Sequence, residues 1–275
     1  MKHILNYGLM AAMVAAFTFT SCSKDDDDDE KLEIELSILP KKVTKIECTN
    51  AAGYPIIYEF DSEGRISKMT NVLYSTTYYY TNNSVISSSD SEVLGINVTT
   101  TIKFETKNGR ITNIKYTVST DDGVNEEEYG QLKYSYSADG YLSTMEGTMN
   151  RTVTKSNYCI ENGVIKTISG NGAIEGSNTD ALITFTYSNK ILNNLNVNLW
   201  NLLSGSEPLL NDKFGKRFVQ LPTSITMIGK EGEEEETLTY NFSYEYDGDY
   251  LKKISSTISY DGETETTTYE IFYEE

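Results

Sequence analysis

The chain has 275 residues, with 23 Lys and Arg against 41 Asp and Glu, a formal net charge of −18. Such acidity argues against nucleic acid as a partner and against attraction to an anionic bilayer surface. The single histidine, His3, falls in a segment expected to be removed, which excludes His-based triads, His general bases and His metal ligands from the mature protein.

Lys2 and His3 precede an apolar run over residues 4–17, and then come Thr18, Phe19, Thr20, Ser21 and Cys22. A short charged start, an apolar stretch and small residues before a boundary form a secretory signal. The stretch is shorter than the roughly 20 residues that span a bilayer. Residues 18–22 resemble a bacterial lipobox, although Phe19 stands where Leu is usual. The resemblance implies removal of residues 1–21 and lipidation of Cys22, which makes the outer membrane a partner through the lipid anchor. Asp25 to Asp29 and Glu30 then repel one another, so residues 22–37 are expected to form an extended, solvated tether. An acidic run directly after a lipidated Cys resembles the export signal of Bacteroidota surface lipoproteins, which implies an outer-membrane protein facing the cell exterior.

From residue 38 to 275 the pattern has period two and no linker, which predicts one β domain. Leu238, Tyr240, Phe242, Tyr244 and Tyr246 alternate with Thr239, Asn241, Ser243, Glu245 and Asp247. Ile56/Tyr58/Phe60, Ile102/Phe104, Leu132/Tyr134/Tyr136 and Ile183/Phe185/Tyr187 alternate likewise. This is the mark of half-buried antiparallel strands. Turn signals punctuate them: Gly64, Asn108-Gly109, Asp122-Gly123, Asp139-Gly140, Asn162-Gly163, Asn171-Gly172, Asp247-Gly248 and Asp261-Gly262. The fold class expected is all-β, a large antiparallel meander.

After nearly every turn comes an aliphatic pair three apart: Ile66/Met69, Ile111/Ile114, Leu142/Met145, Ile165/Ile168 and Leu251/Ile254, with Val43/Ile46 and Ile225/Ile228 after a proline. Three is odd, so a regular strand cannot turn both members to one face. Either a bulge follows each turn or the strand ends are buried on both faces; bulges are favoured because they curl a sheet. Leu39-Pro40 with Val43-Thr44 and Ile46 also echoes Leu221-Pro222 with Ile225-Thr226 and Ile228, as though one unit opened the chain twice. Between the echoes, Leu192, Leu195, Leu199, Leu202 and Leu203 recur at helical spacing, from a cap at Ser188 or Asn189 to a stop at Gly205. This predicts one short helix near residues 190–203, covering an end or face of the sheet.

The lipobox with its acidic run, the repeated Tyr-x-Phe/Tyr-Asp strand ends and the Leu-Pro openings resemble Bacteroidota surface lipoproteins of unknown function with a porin-like fold. That resemblance implies a barrel-like meander and transfers no activity or catalytic residue. Tyr58-Glu59-Phe60-Asp61 with Gly64-Arg65-Ile66 also resembles YD-repeat hairpins. An embedded pore is disfavoured, since strand faces carry Glu, Lys, Asn and Thr where a membrane barrel needs an apolar band.

No phosphate loop, zinc spacing or nucleotide fingerprint is present, so no cofactor and no metal are expected. Two carboxylates could hydrolyse a glycan without His, but no pair is singled out among so many acids. Glu126 to Glu128 and Glu233 to Glu236 are read as solvated hairpin tips. Cys48 shares parity with Ile46 and is read as a core thiol, whereas Cys159 has the parity of neither Tyr158 nor Ile160. Of Tyr78, Tyr79 and Tyr80, at least one must lie on the polar face, and Tyr79 is the candidate. Tyr79 and Trp200 are the candidate ligand-binding residues, as aromatic platforms for a glycan; packing is the competing role for both. The expected function is a non-catalytic, lipid-anchored envelope protein that binds an extracellular ligand, possible classes including glycan. A carboxylate-based glycan-cleaving enzyme and a purely structural envelope component are the alternatives.

Overall fold

In the computed structural model, residues 41–274 are described apart from 51–52, 94–95, 121–126, 150–151, 175–176, 193–212, 217–219, 232–233 and 261–262. Among the described residues there are sixteen strands. The first eight are β1 (Val43–Thr49), β2 (Pro55–Phe60), β3 (Ile66–Thr70), β4 (Ser75–Tyr80), β5 (Ser84–Val93), β6 (Ile96–Lys107), β7 (Arg110–Thr120) and β8 (Glu127–Tyr136). The rest are β9 (Leu142–Met149), β10 (Thr152–Glu161), β11 (Val164–Ile174), β12 (Ser177–Leu192), β13 (Gln220–Glu231), β14 (Glu234–Asp247), β15 (Tyr250–Tyr260) and β16 (Glu263–Tyr273). Each pairs antiparallel with its sequence neighbours, and β1 also pairs with β16, so the meander closes into a barrel. The chain enters at Val43 and leaves at Tyr273 on one rim, the entry end. The opposite rim is the far end.

Turn chemistry sets the hairpins of the entry end. Asn108 and Gly109 have φ of 53° and 77°, and Asn162 and Gly163 have 49° and 77°. Two successive positive φ angles match the right-handed twist of the flanking strands, which is why Asn-Gly occupies both tips. Asn171-Gly172, by contrast, makes no turn: both residues sit inside β11, paired with Asp180 and Thr179 of β12. The dipeptide signals a hairpin only where the ladder ends.

Six of the seven pairs of aliphatic residues three apart flank a bulge, and Ile225/Ile228 does not. Cross-strand partners skip one residue at Thr44, Ser67, Thr112, Ser143, Lys166, Thr223 and Lys252, each just inside the entry end. The extra residue restores parity, so Ile111 and Ile114 are both buried, as are Ile165 and Ile168 and Leu251 and Ile254. At four of the bulges a hydroxyl bonds the interrupted ladder. Thr44, Ser67, Thr112 and Thr223 donate Oγ–H to the carbonyls of Phe272, Glu59, Glu105 and Thr186 at 3.2–3.4 Å.

This register corrects the sequence echo. The bulges at Thr44 and Thr223 make Val43 to Ile46 the counterpart of Pro222 to Ile225, three residues from the alignment that the two Leu-Pro pairs suggest. Ile225 is buried, while Ile228 faces out beside Leu182. The expected helix is corrected at its start as well. β12 runs through Ser188 and Asn189 to Leu192, which pairs with Gln220, because the ladder with β13 resumes after a break at Tyr187. Residues 193–203 of that expectation lie outside the described residues.

The wall has one apolar and one polar face. Along β12, Ala181, Ile183 and Phe185 are buried while Leu182, Thr184 and Thr186 are exposed. Phe104, Ile46, Ile111, Leu251 and Ile254 have no measurable exposure, and they belong to a cluster that joins β1–β8 with β15 and β16. A second cluster of Ile165, Ile168, Ile183, Phe185 and Ile225 fills the side formed by β11–β13. Each such side chain contributes about 1.5–3 kcal/mol by leaving water. Phe214 packs edge-on against Tyr134 at the entry end, with ring centroids 5.4 Å apart. Its segment is pinned by Lys216 N–H on the Gly140 carbonyl at 2.9 Å and by Tyr136 Oη on the Lys213 carbonyl at 3.3 Å. Gly215 there needs its φ of 89°, and a Cβ would meet the Gly140 oxygen at 2.6 Å.

Candidate functional site

The outward face of the wall is charged. Lys103 of β6 and Lys115 of β7 face out as direct cross-strand neighbours, and Lys133 of β8 faces out in the adjacent row, paired with Asn113. Glu105 accepts a hydrogen bond from Asn113 Nδ2 at 2.9 Å, and Asn113 Oδ1 accepts one from Gln131 Nε2 at 2.7 Å. Lys103 and Lys115 lie 3.5 and 3.9 Å from the same carboxylate. The Asn113 amide is the largest influence holding the Glu105 carboxyl below its ordinary range, against the cost of burial and with help from both lysines. Lysines at the midplane of a bilayer cost about 2–4 kcal/mol each on a barrel's lipid face. This part of the wall is polar on its outer face and apolar on its inner face.

The tyrosine triplet divides as parity requires. Tyr78 points inward and is 6% exposed, Tyr79 points outward and is 57% exposed, and Tyr80 turns in again. Tyr80 Oη donates to the Ile66 carbonyl at 2.7 Å, and Arg65 stacks 4.4 Å from its ring centroid. Beside Tyr79 the row continues outward-facing through Ile86 on β5 and Lys103 on β6. Two strands along this row from Tyr79, at Lys103, an open depression of about 550 Å³ is lined by Asn83, Ser84, Lys103, Glu105, Thr106, Lys107 and Asn108. An aromatic face bordered by amides and charged groups can hold a polyol by stacking and hydrogen bonding. Trp200 and Cys22 lie outside the described residues.

The remaining candidates sort by face. Cys48 is buried and free, and burial pushes its thiol up to about 11 despite a hydrogen bond with Tyr269. Cys159 is on the outward face, with Sγ 4.0 Å from Glu161 Oε1, so no Cys48–Cys159 bridge exists. In the second acidic run, Glu235 is exposed and Glu236 is half-buried in β14 beside Gly229. Glu126 to Glu128 carry no described side chains. No group of three or more potential metal ligands occurs among the described residues.

At the far end the rim has a gap that no sequence signal marks. β1 to β4 are short, at seven, six, five and six residues, whereas β16 and β5 on either side have eleven and ten. The last β1–β16 pair is Thr49↔Thr268, so among the described residues Glu263, Thr264, Glu265, Thr266 and Thr267 run on with β15 alone. On the other flank the last β4–β5 pair is Ser75↔Asp90. The result is a notch about 24 Å wide, five strand spacings, and about 17 Å deep along β16. Its sill is apolar: Tyr54, Val72, Leu73 and Tyr74 are 56%, 58%, 81% and 38% exposed. Side-chain to backbone bonds hold that sill in place. Asn71 Oδ1 accepts the N–H groups of Leu73 and Tyr74 at 2.7 and 2.9 Å, and Asn50 Oδ1 accepts that of Tyr54 at 3.0 Å.

Comparison with known proteins places the architecture. The chain is similar to a porin-like protein from Bacteroides vulgatus ATCC 8482, solved by crystallography, at 16% sequence identity and a TM-score of 0.60. The match covers 85% of this chain and 99% of that one. At this identity the likeness is one of fold. No family model matches the chain, and no curated protein matches it.

Proposed function

We propose that the protein is a lipid-anchored component of the outer envelope, tethered through Cys22 and facing the cell exterior, that binds an extracellular ligand without catalysis. The observation that carries this reading is the inverted wall: charged residues outside, and an interior filled by Phe104, Ile46, Leu251 and their neighbours. A barrel of this kind offers a surface rather than a conduit, and a barrel that does not span the membrane needs an anchor to stay beside it. The expected ligand is a glycan held on the outer wall at Tyr79, long enough to reach the depression two strands away at Lys103. The purely structural alternative draws on the same filled interior.

A thermal-shift panel of polysaccharides, oligosaccharides, bile acids, lipids and Ca²⁺ tests the reading. A ligand at 100 times its Kd adds about 2.7 kcal/mol, and in a domain of this size the transition moves by several degrees. A saturable shift with one glycan class that disappears in Tyr79→Ala supports the site. A shift that survives the substitution moves the site elsewhere, and no shift with any compound favours the structural component. Metabolic labelling with an alkyne fatty acid, lost in Cys22→Ala, tests the anchor separately.

A further inference from the structure

We infer that the far-end notch is a docking site for an extended, basic peptide segment that adds to β16 as a strand. This goes beyond the reading above and does not depend on a glycan at Tyr79.

Three observations converge on this occupant. First, the stretch Glu263 to Thr267 keeps β15 on one side and, among the described residues, has no strand partner on the other. Its backbone N–H and C=O groups on that side form a template for one more strand. The incoming segment would continue the line of β1 above the turn that follows Thr49, so its length is set at about five residues.

Second, the side chains along that edge fix the chemistry of the guest. Paired residues on neighbouring strands project to the same face. Glu263 and Glu265 share the parity of buried Tyr269 and Ile271 and so point toward the barrel mouth, yet both are exposed. Glu265 lies close enough to Tyr240 to raise its phenol pKa, after burial, which is the larger cause. Thr264 and Thr266 point outward. A guest strand therefore meets a carboxylate at every second position on the inner face. Lys or Arg at alternate positions makes two cross-strand ion pairs, and β-branched or small polar residues between them sit beside the threonines.

Third, the same arrangement rejects the commonest wrong guest, a second copy of this chain. Two β16 edges brought together would set Glu263 and Glu265 against the same acids, and like charges directly opposite are destabilising. The apolar sill gives the guest a dry floor, with Tyr54 beside the end of β1 and Leu73 one hairpin further along.

The test uses fluorescence anisotropy on the full-length protein, with a labelled peptide of alternating Lys and Thr as probe. Saturable binding is expected. A peptide of the same composition with its lysines in one block should bind at least about tenfold more weakly, because only one lysine in two can then face the carboxylates. N-methylation of alternate backbone amides on the hydrogen-bonding side should abolish binding. The double variant E263K/E265K should weaken the alternating probe by about tenfold or more while circular dichroism stays unchanged. Equal binding of the block and alternating peptides, or indifference to N-methylation, would mean loose charge attraction and overturn strand addition. No saturable binding overturns the site, and neither result bears on the glycan panel. Growth of dimer in sedimentation, unaffected by the charge reversal, would show instead that copies of the chain occupy the edge.

Discussion

The phenol of Tyr273 donates to the carbonyl of Leu251 at 2.6 Å, and that carbonyl belongs to the residue just before the bulge at Lys252. Tyr80, Tyr136, Tyr187 and Tyr244 make the same bond to Ile66, Ile111, Ile165 and Pro222, each the residue preceding a bulge on the adjacent strand. A bulge interrupts the ladder, and the tyrosine of the next strand occupies the carbonyl beside the break. Burial is the main cause that pushes the phenols of Tyr136, Tyr187, Tyr244 and Tyr273 upward, so they remain protonated donors at neutral pH.

Tyr273→Phe leaves the ring and removes only that donor. The expected cost is about 1–2 kcal/mol, within the range for a buried acceptor left unsatisfied. It is read as a lower urea midpoint with an unchanged m-value. Tyr80→Phe and Tyr187→Phe share no partner, so their costs should add. A double variant no less stable than either single one would show that water replaces the phenol freely.

Two strand glycines should behave in opposite ways. A Cβ at Gly147 would lie 1.9 Å from the Gln131 carbonyl oxygen, and one at Gly229 would meet nothing within 4 Å. Gly147→Ala is expected to destabilise by about 3 kcal/mol or more, since backbone must move. Gly229→Ala should fall within about 0.5 kcal/mol of the parent or gain slightly. Equal melting temperatures for the two variants would count against the close approach of β9 to β8.

Asp61 shapes the acid limb of the stability curve. Burial alone would raise its pKa, but the backbone N–H of Arg65, the Arg65 guanidinium and the Glu63 N–H outweigh it and hold the carboxyl below its ordinary range. A folded pKa below the unfolded one gives stability that is complete above the unfolded value of about 3.9 and fades as pH falls through the folded value. Asp61→Asn should therefore be less stable than the parent at pH 7, with the gap closing toward pH 2. Urea midpoints at the two pH values decide it, and a gap constant with pH would reject the assignment.

Cys48 is 4% exposed with a thiol pushed up to about 11. Alkylation at pH 8 should reach its peptide at the rate of barrel opening and become complete in denaturant. Mass spectrometry of the digested protein reads this directly. Rapid labelling in native buffer would mean that the β1–β16 seam breathes.

Much of this architecture was legible in the residues. The odd spacing of Ile111/Ile114 and Leu251/Ile254 admits a bulge, and bulges are there; the parity of three consecutive tyrosines put Tyr79 outside. What misled was local motif without register. Asn171-Gly172 has the composition of a turn, yet Gly172 is held by the ladder to Thr179. The two Leu-Pro pairs look equivalent, but equivalence is set by which residue the neighbouring strand skips, Thr44 in one case and Thr223 in the other. Leucine spacing pointed to a helix from residue 190, whereas continuing the ladder with Gln220 satisfies the backbone of Leu192. The notch was invisible for another reason. It depends on β1–β4 being shorter than strands far away in sequence, and no single segment carries that difference.

The seam between β1 and β16 also decides how the molecule bears a load. The chain enters along β1 at the entry end, and Lys42 and Glu274 are joined there by a 2.9 Å backbone bond. A pull applied to the N-terminal segment against anything gripped at the far end runs parallel to β1. It shears the whole register from Val43/Tyr273 to Thr49/Thr268 at once, together with the ladder to β2, instead of opening the bonds one at a time. In single-molecule pulling, attachment at Lys42 and Leu73 should therefore require much larger forces than attachment at Lys42 and Glu274, which peels the same seam from its end. The seam that closes the barrel thus resists a pull along β1 and yields to one that starts at its end.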